Sequence, residues 1–211
     1  MSLNSPFEQN AEHYDAWFEH HPLVYQSEIE AVRTLLPEPG KGLEIGVGSG
    51  LFAAPLGIQT GIEPSAVMGD RARKRGINVV KGVAEALPFR DNEFDTALMV
   101  TTVCFLDDIE RAFQEAFRVL TPGGAFIIGF VDKNSPIGKS YEQRKSESLY
   151  YKDATFYAVG DLLAHLKQAG FSMFSFGQTL FGPLNEMLAP DQVKKGYGEG
   201  SFVVIKAEKK P

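Results

Sequence analysis

The chain has 211 residues, 44% of them hydrophobic and 23% charged, with a formal net charge of −6. This suits one globular domain with a substantial core, and the negative balance argues against a broad phosphate-binding surface and so against a nucleic-acid partner. The single cysteine, Cys104, excludes an internal disulfide framework and a thiolate-rich metal site, and no metal is expected. The polar, acidic start (Asn4, Glu8, Glu12) lacks a signal-peptide core, and no apolar run approaches the roughly eighteen residues that span a bilayer. The expected setting is cytoplasmic, with no membrane contact.

In chain order, residues 8–20 read as an aromatic helix (Tyr14, Trp17, Phe18). Residues 24–36 read as a second helix, with Val24, Ile29, Val32, Leu35 and Leu36 on one face and Pro37 and Gly40 beyond its end. From Gly42 strands and helices alternate, with strands expected at 42–46, 58–62, 77–81, 94–101 and 124–132. Pro55 and Gly57 leave the helix after the first strand only about two turns. Ser65 caps a helix that stops at Gly76, and Asp107 or Asp108 caps another that runs to Leu120. The cluster Arg71, Arg73, Lys74 and Arg75 reads as a solvated face that complements its helix dipole. Thr121-Pro122-Gly123-Gly124 turns the chain into the fifth strand. A helix at 160–169 precedes two β-rich runs, 171–181 and 201–207, which should pair as an antiparallel hairpin. The pattern predicts an α/β, doubly wound Rossmann-like sheet of seven strands, mostly parallel, with helices on both faces.

The most informative stretch is Leu43-Glu44-Ile45-Gly46-Val47-Gly48-Ser49-Gly50, a buried strand running into a turn too tight for side chains. A neighbouring parallel strand then ends on Glu63, where a carboxylate can grip the two hydroxyls of a ribose. The dinucleotide fingerprint G-x-G-x-x-G fails because its third glycine position is Leu51, and no Gly-Lys-Ser/Thr of a phosphate-binding loop follows. What survives is a ligand with adenosine and no phosphate.

With these residues in view, the chain resembles the class I S-adenosylmethionine-dependent methyltransferases, in the type 11 group that includes the ubiquinone/menaquinone-biosynthesis enzymes. The likeness runs through most of 42–132, in Leu43 to Gly50, Gly61-Ile62-Glu63-Pro64-Ser65, Gly82 to Phe89, Phe94-Asp95 and Leu120-Thr121-Pro122-Gly123-Gly124. The aromatic start with Tyr14-Asp15 and Trp17-Phe18 is similar too. The resemblance implies S-adenosyl-L-methionine as cofactor, S-adenosyl-L-homocysteine as product and methyl transfer to a small-molecule acceptor by in-line displacement. A non-catalytic cofactor-binding regulatory module on the same fold is the alternative.

By the same resemblance Glu44 helps orient the methionine ammonium, and Gly46, Gly48 and Gly50 pass under the methionyl and ribosyl part. Glu63 takes the ribose hydroxyls, followed by Pro64 and Ser65. Pro64 and Met68 pack on adenine, Ala84 and Glu85 belong to the adenine side, and Thr101 faces the methionyl end, with Tyr14 above. The family often places Asp after the third-strand glycine, where this chain has Val83, leaving the adenine amino group to Glu85, backbone or water.

No residue identifies itself as a catalytic base. Cys104 reads as a buried small hydrophobe, His13, His20 and His21 as surface or cover histidines, and His165 as a boundary residue. Tyr14 and Trp17 are divided between core and cover. The chain is expected to act as one methyltransferase domain: a helical cap (1–40), a cofactor-binding core (42–132), an insertion that could form a lid (133–158) and a C-terminal helix and hairpin (159–211). The insertion carries Lys133, Lys139, Arg144, Lys145 and Lys152 among its aromatics, which reads either as a solvated helix with a packed aromatic edge or as a lid whose basic residues could favour an anionic acceptor. The missing Asn/Asp-Pro-Pro-aromatic motif after the fourth strand argues against DNA methylation.

Overall fold

A computed structural model describes residues 6–37 and 40–210. Asn4, the rest of the 1–40 cap beyond those bounds, and Pro211 lie outside the described residues. The cap is three helices, α1 (Pro6–Gln9), α2 (Ala11–His20) and α3 (Pro22–Leu35). The single aromatic helix expected over 8–20 is thus broken at Asn10, and Pro22, at the first turn of α3, begins the next helix where no N–H is needed.

The strands are β1 (Gly42–Ile45), β2 (Thr60–Glu63), β3 (Asn78–Lys81), β4 (Phe94–Val100), β5 (Leu120–Val131), β6 (Ser172–Thr179), β7 (Lys194–Lys195) and β8 (Phe202–Glu208). They form one sheet in the order β3-β2-β1-β4-β5-β8-β6-β7. The first five are parallel, and β8 runs antiparallel between β5 and β6. The expected fold class holds, but the sheet has eight strands where seven were expected. The extra one, β7, is two lysines paired with Gly177 and Gln178, too short and too polar to leave a pattern. Its Lys194 lies over the Phe181 ring at 4.4 Å and pairs with Glu199, a charged edge of the kind that discourages sheet-to-sheet association.

Helices α4 (Ala66–Lys74), α5 (Ile109–Val119), α6 (Pro136–Gln143) and α7 (Val159–Gln168) complete the fold. Ser65 and Asp108 cap α4 and α5 by accepting from the Met68 and Arg111 N–H groups. Alternation along the central strands divides the core in two. Ala97, Met99, Phe126 and Ile128 face α5 and α7, whereas Leu98, Val100 and Ile127 face α3 and α4. Residues 51–57 form successive turns rather than the short helix expected, because Pro55 and Gly57 interrupt any run of helical bonds. The Thr121–Gly124 turn is absorbed into β5 as an irregularity, with Leu120 already paired to Phe94.

The basic cluster on α4 does more than face water. Asp15 of α2 is buried, and its Oδ2 accepts from Arg71 at 3.1 Å and Arg75 at 2.9 Å; Arg75 also donates to the Ser49 carbonyl of the glycine turn at 2.8 Å. The cap is thereby tied to the turn beneath it. We expect Asp15→Ala to lower unfolding free energy in urea by ~1.5–3 kcal/mol, the scale of charged hydrogen bonds, and to speed amide exchange selectively over residues 11–20. Unchanged exchange in α2 would show that the tie is idle.

Candidate active site

β1 ends in a turn that places three glycines at positive φ, +72° at Gly46, +53° at Gly48 and +84° at Gly50. A side chain at Gly46 would put its Cβ 2.4 Å from Thr102 Cγ2, whereas at Gly50 it would meet Ala72 of α4 at 3.2 Å. Gly46 and Gly48 line a cavity, and Gly50 lets the turn pack on the helix. The Gly46 and Val47 N–H groups both donate to the Ile62 carbonyl at 3.0 Å, joining the turn to the end of β2.

Glu63 closes this junction. Its Oε2 accepts from the Gly48 N–H and its Oε1 from the Ser65 N–H, each at 2.9 Å. Each carboxylate oxygen has a further acceptor site, and Glu63 lines the cavity. Burial raises its pKa despite the two N–H groups that oppose the shift.

The cavity holds about 400 Å³, within the range of small-ligand sites. Met68 of α4 lies at the Glu63 end, and Thr101 and Thr102 lie beyond the end of β4. Thr101 has φ +51°, a conformation β-branched residues rarely adopt and one that concentrates at ligand sites. Its N–H is held by the Gly129 carbonyl at 2.8 Å. Tyr14 meets the Thr101 side chain with its hydroxyl, and burial raises its pKa.

Cap and insertion meet over the cavity. Tyr150 donates to the Asn10 carbonyl at 2.8 Å, and its ring lies 5.1 Å from that of Phe7. Deeper in, Tyr151 stacks between Tyr141 and Phe105 at 5.3 and 5.7 Å. Of the insertion's five basic residues only Arg144 reaches the lining, and it pairs with Glu147 at 3.6 Å. The other four basic residues of the insertion are not part of the cavity wall.

Of the twelve residues assigned to the cofactor from sequence, Tyr14, Gly46, Gly48, Glu63, Met68 and Thr101 line this cavity together. Glu44 lies beneath it, 1% exposed, with Oε2 unpartnered and its pKa well above normal through burial. An orphaned buried carboxylate oxygen beside the turn fits a cationic or water partner arriving with a ligand. Ser65 is spent on α4 and on Glu8, to which its hydroxyl donates, and Pro64 is half-buried next to it. Ala84 sits in the core, and the Glu85 carboxylate accepts from the Asp107 and Asp108 N–H groups at the start of α5. Neither lines the cavity.

Cys104 lines a separate small pocket with Phe130, Phe156 and Tyr157, its thiol pushed up to about 12 by burial, so it is no thiolate nucleophile at neutral pH. Among the described residues no group of three or more His, Cys, Asp or Glu could hold a metal ion, and no helix is long and apolar enough to cross a membrane.

Sequence reasoning missed Glu28. It belongs to α3, is 4% exposed and lines the cavity, yet makes no hydrogen bond at Oε2. Burial alone pushes its carboxyl up to about 8. The signal was present: Glu28 falls between Val24 and Val32 at spacings of four, a charge inside the apolar stripe.

The parallel sheet with a glycine turn after β1 and a buried carboxylate at the end of β2 is the geometry against which known proteins can be compared. Residues 43–128 match a family described as a methyltransferase domain. A solved S-adenosylmethionine-dependent methyltransferase of Thermotoga maritima, described as a possible histamine N-methyltransferase, is 51% identical with a TM-score of 0.95, covering 97% of this chain and 99% of its own. An uncharacterized protein of Methanocaldococcus jannaschii is 44% identical over 203 residues, 96% of this chain and 98% of that one. The ubiquinone/menaquinone biosynthesis C-methyltransferase of Serratia proteamaculans is 32% identical over 117 residues, 47% of each chain. The chain belongs to the class I S-adenosylmethionine-dependent methyltransferases, in the type 11 group, and its cofactor is S-adenosylmethionine.

Glu28 gives a pH signature. Its folded-state pKa, about 8, lies above its ordinary 4.5. The folded protein thus holds this proton longer than the unfolded chain. The associated stability is complete below pH 4.5 and is lost as pH rises through about 8. The titratable groups on which its charge bears, Tyr14, Tyr25, Tyr141 and Tyr151, all have their pKa values raised and stay neutral across this window. Glu28→Gln should therefore unfold at higher denaturant than the parent at pH 8, by on the order of 4 kcal/mol, with the gap closing below pH 5. A gap independent of pH would remove Glu28 as its source.

Proposed function

We propose that this methyltransferase acts on a small-molecule acceptor, which it receives in the aromatic half of the cavity. The observation that carries this reading is the shape of the site: one continuous cavity runs from Glu63 at the end of β2 to Tyr141 and Tyr151 of the insertion. Its size suits a small organic molecule rather than a macromolecular chain, and the Thermotoga maritima relative is described as possibly acting on histamine, an acceptor of that size.

S-adenosylmethionine, when bound, supplies a methyl group activated by its sulfonium charge. Glu63 would hold the ribose hydroxyls with its free acceptor sites, already oriented by Gly48 and Ser65. Gly46 and Gly48 expose main chain at the floor, Met68 offers an apolar face for the base, and Glu44 beneath the turn stands ready for a cationic or water-linked partner. Thr101 and Tyr14 border the methionyl end, while Pro64, Ser65, Gly50, Ala84 and Glu85 act through the fold. The 1–40 cap and the 133–158 insertion would work as two halves of one cover, joined by Tyr150. Their role is orientation and exclusion of water, and orientation alone can supply up to ~7–11 kcal/mol of a barrier.

Calorimetry should show micromolar binding of S-adenosylhomocysteine, about −8 kcal/mol. Glu63→Ala should weaken it at least ~100-fold, since two charged hydrogen bonds of ~1.5–3 kcal/mol each are removed. Labelled methyl groups should enter the small-molecule fraction of a cell extract. Label confined to nucleic acid or protein would contradict the acceptor class, and no binding by folded protein would contradict the site.

A further inference from the structure

Glu28 is an expensive residue to keep where it is. Its carboxyl is buried, near enough to Tyr14, Tyr25, Tyr141 and Tyr151 for its charge to bear on each of them, and no arginine or lysine of the described residues pairs with it. A buried carboxyl without a partner stands as a penalty unless something arrives to meet it. Its location says what arrives. Helix α3 packs beside β5, β6 and β8, on the side of the sheet away from β2, so Glu28 and Glu63 approach the cavity from opposite sides. Glu63 and the glycine turn make the nucleoside side, which leaves Glu28 on the side of the acceptor.

The charge balance of the lining agrees. Its acidic groups are Glu28, Glu63 and Glu147, the last paired with Arg144. His13, at the exposed rim, is within 3.4 Å of the Tyr150 hydroxyl. Among the described residues no lysine lines the space, and its aromatic lining, Tyr14, Trp17, Tyr141 and Tyr151 included, offers rings whose faces attract cations.

From this we infer that Glu28 is the acceptor-binding carboxylate, selecting a small primary or secondary amine that enters as its ammonium ion. The inference rests on the methyltransferase reading above and names the substrate class of that same site.

The step balances without a further reagent. As the ammonium binds, Glu28 releases to solvent the proton that burial holds on it; the ammonium then gives one proton to the carboxylate so formed, and the freed nitrogen lone pair forms the N–C bond to the methyl group. The C–S bond breaks as it forms, with its electron pair returning to sulfur, and the proton passes from Glu28 to solvent as the methylated ammonium leaves. Burial makes Glu28 basic enough to take that proton. The neighbouring Tyr141 hydroxyl and Cys104 thiol, both pushed up to about 12, remain protonated and do not compete.

The test is calorimetric. Protein saturated with S-adenosylhomocysteine is titrated at pH 7.5 with 2-phenylethylamine, histamine and hexylamine, each beside its matched alcohol, and the series is repeated with Glu28→Gln. We expect at least one amine to bind tenfold or more tightly than its alcohol, and that preference to vanish in Glu28→Gln while S-adenosylhomocysteine affinity stays within threefold. Transfer of labelled methyl to that amine should fall at least 100-fold. Absence of any amine preference in the parent overturns the inference without needing the variant to fold, and so does a preference that survives in Glu28→Gln. A tenfold loss of S-adenosylhomocysteine affinity in Glu28→Gln would assign the carboxylate to the cofactor instead. Failure of the parent to bind S-adenosylhomocysteine at all would overturn the methyltransferase site itself, an outcome distinct from the others.

Discussion

The grip of the Gly48 and Ser65 N–H groups on the Glu63 carboxylate is the contact on which the site is built. It joins the turn after β1 to the start of α4, across the ends of two parallel strands. Because both donors are main-chain groups, the carboxylate's orientation is set by the path of the chain rather than by side-chain rotamers. The same junction carries the two bonds from Gly46 and Val47 to Ile62, the contact of Gly50 with Ala72, and the tie from Arg75 to Ser49 and Asp15. Moving Glu63 would therefore disturb the turn, the helix and the cap together.

Around this anchor the protein buries three carboxyls, Glu28, Glu44 and Glu63, each with its pKa raised by burial. In a fold selected for stability alone, apolar side chains would serve better at such places. Their common feature is position: two line the cavity and one lies under its turn. Buried carboxyls in a largely aromatic cavity gain their charge most readily when a cation arrives beside them, and the family's cofactor carries both a sulfonium and an ammonium group. The stability given up at these carboxyls is thus linked to binding, in the way functional sites generally depart from the most stable packing.

Much of this was legible in the sequence, for identifiable reasons. The glycine turn, Glu63 and the Ser65 cap depend on local chemistry at fixed spacing, so they could be read directly, and the alternation of strands and helices gave the mostly parallel sheet. What escaped was of two kinds. β7 is two lysines long, and its existence depends on the exposed edge of β6 rather than on any pattern of its own. Glu85 carries the right chemistry for adenine but is drawn to the start of α5, where free N–H groups compete for it. Glu28 lay in plain view as a charge within an apolar stripe, but only the meeting of α3 with the insertion shows that the stripe borders a cavity. Sequence spacing reports what an element does with its neighbours in the chain, and it is silent on which distant surface will close over it.

The most direct test of the account is a crystal structure of the protein with S-adenosylhomocysteine. The account predicts the ribose hydroxyls within hydrogen-bonding distance of Glu63, with Gly48 and Ser65 still donating to the same carboxylate. The sulfur should face the aromatic half of the cavity between Thr101 and Tyr14. A nucleoside bound away from Glu63, or a Glu63 that turns from Gly48 and Ser65 to reach it, would contradict the claim that the turn and its carboxylate are preformed for the cofactor.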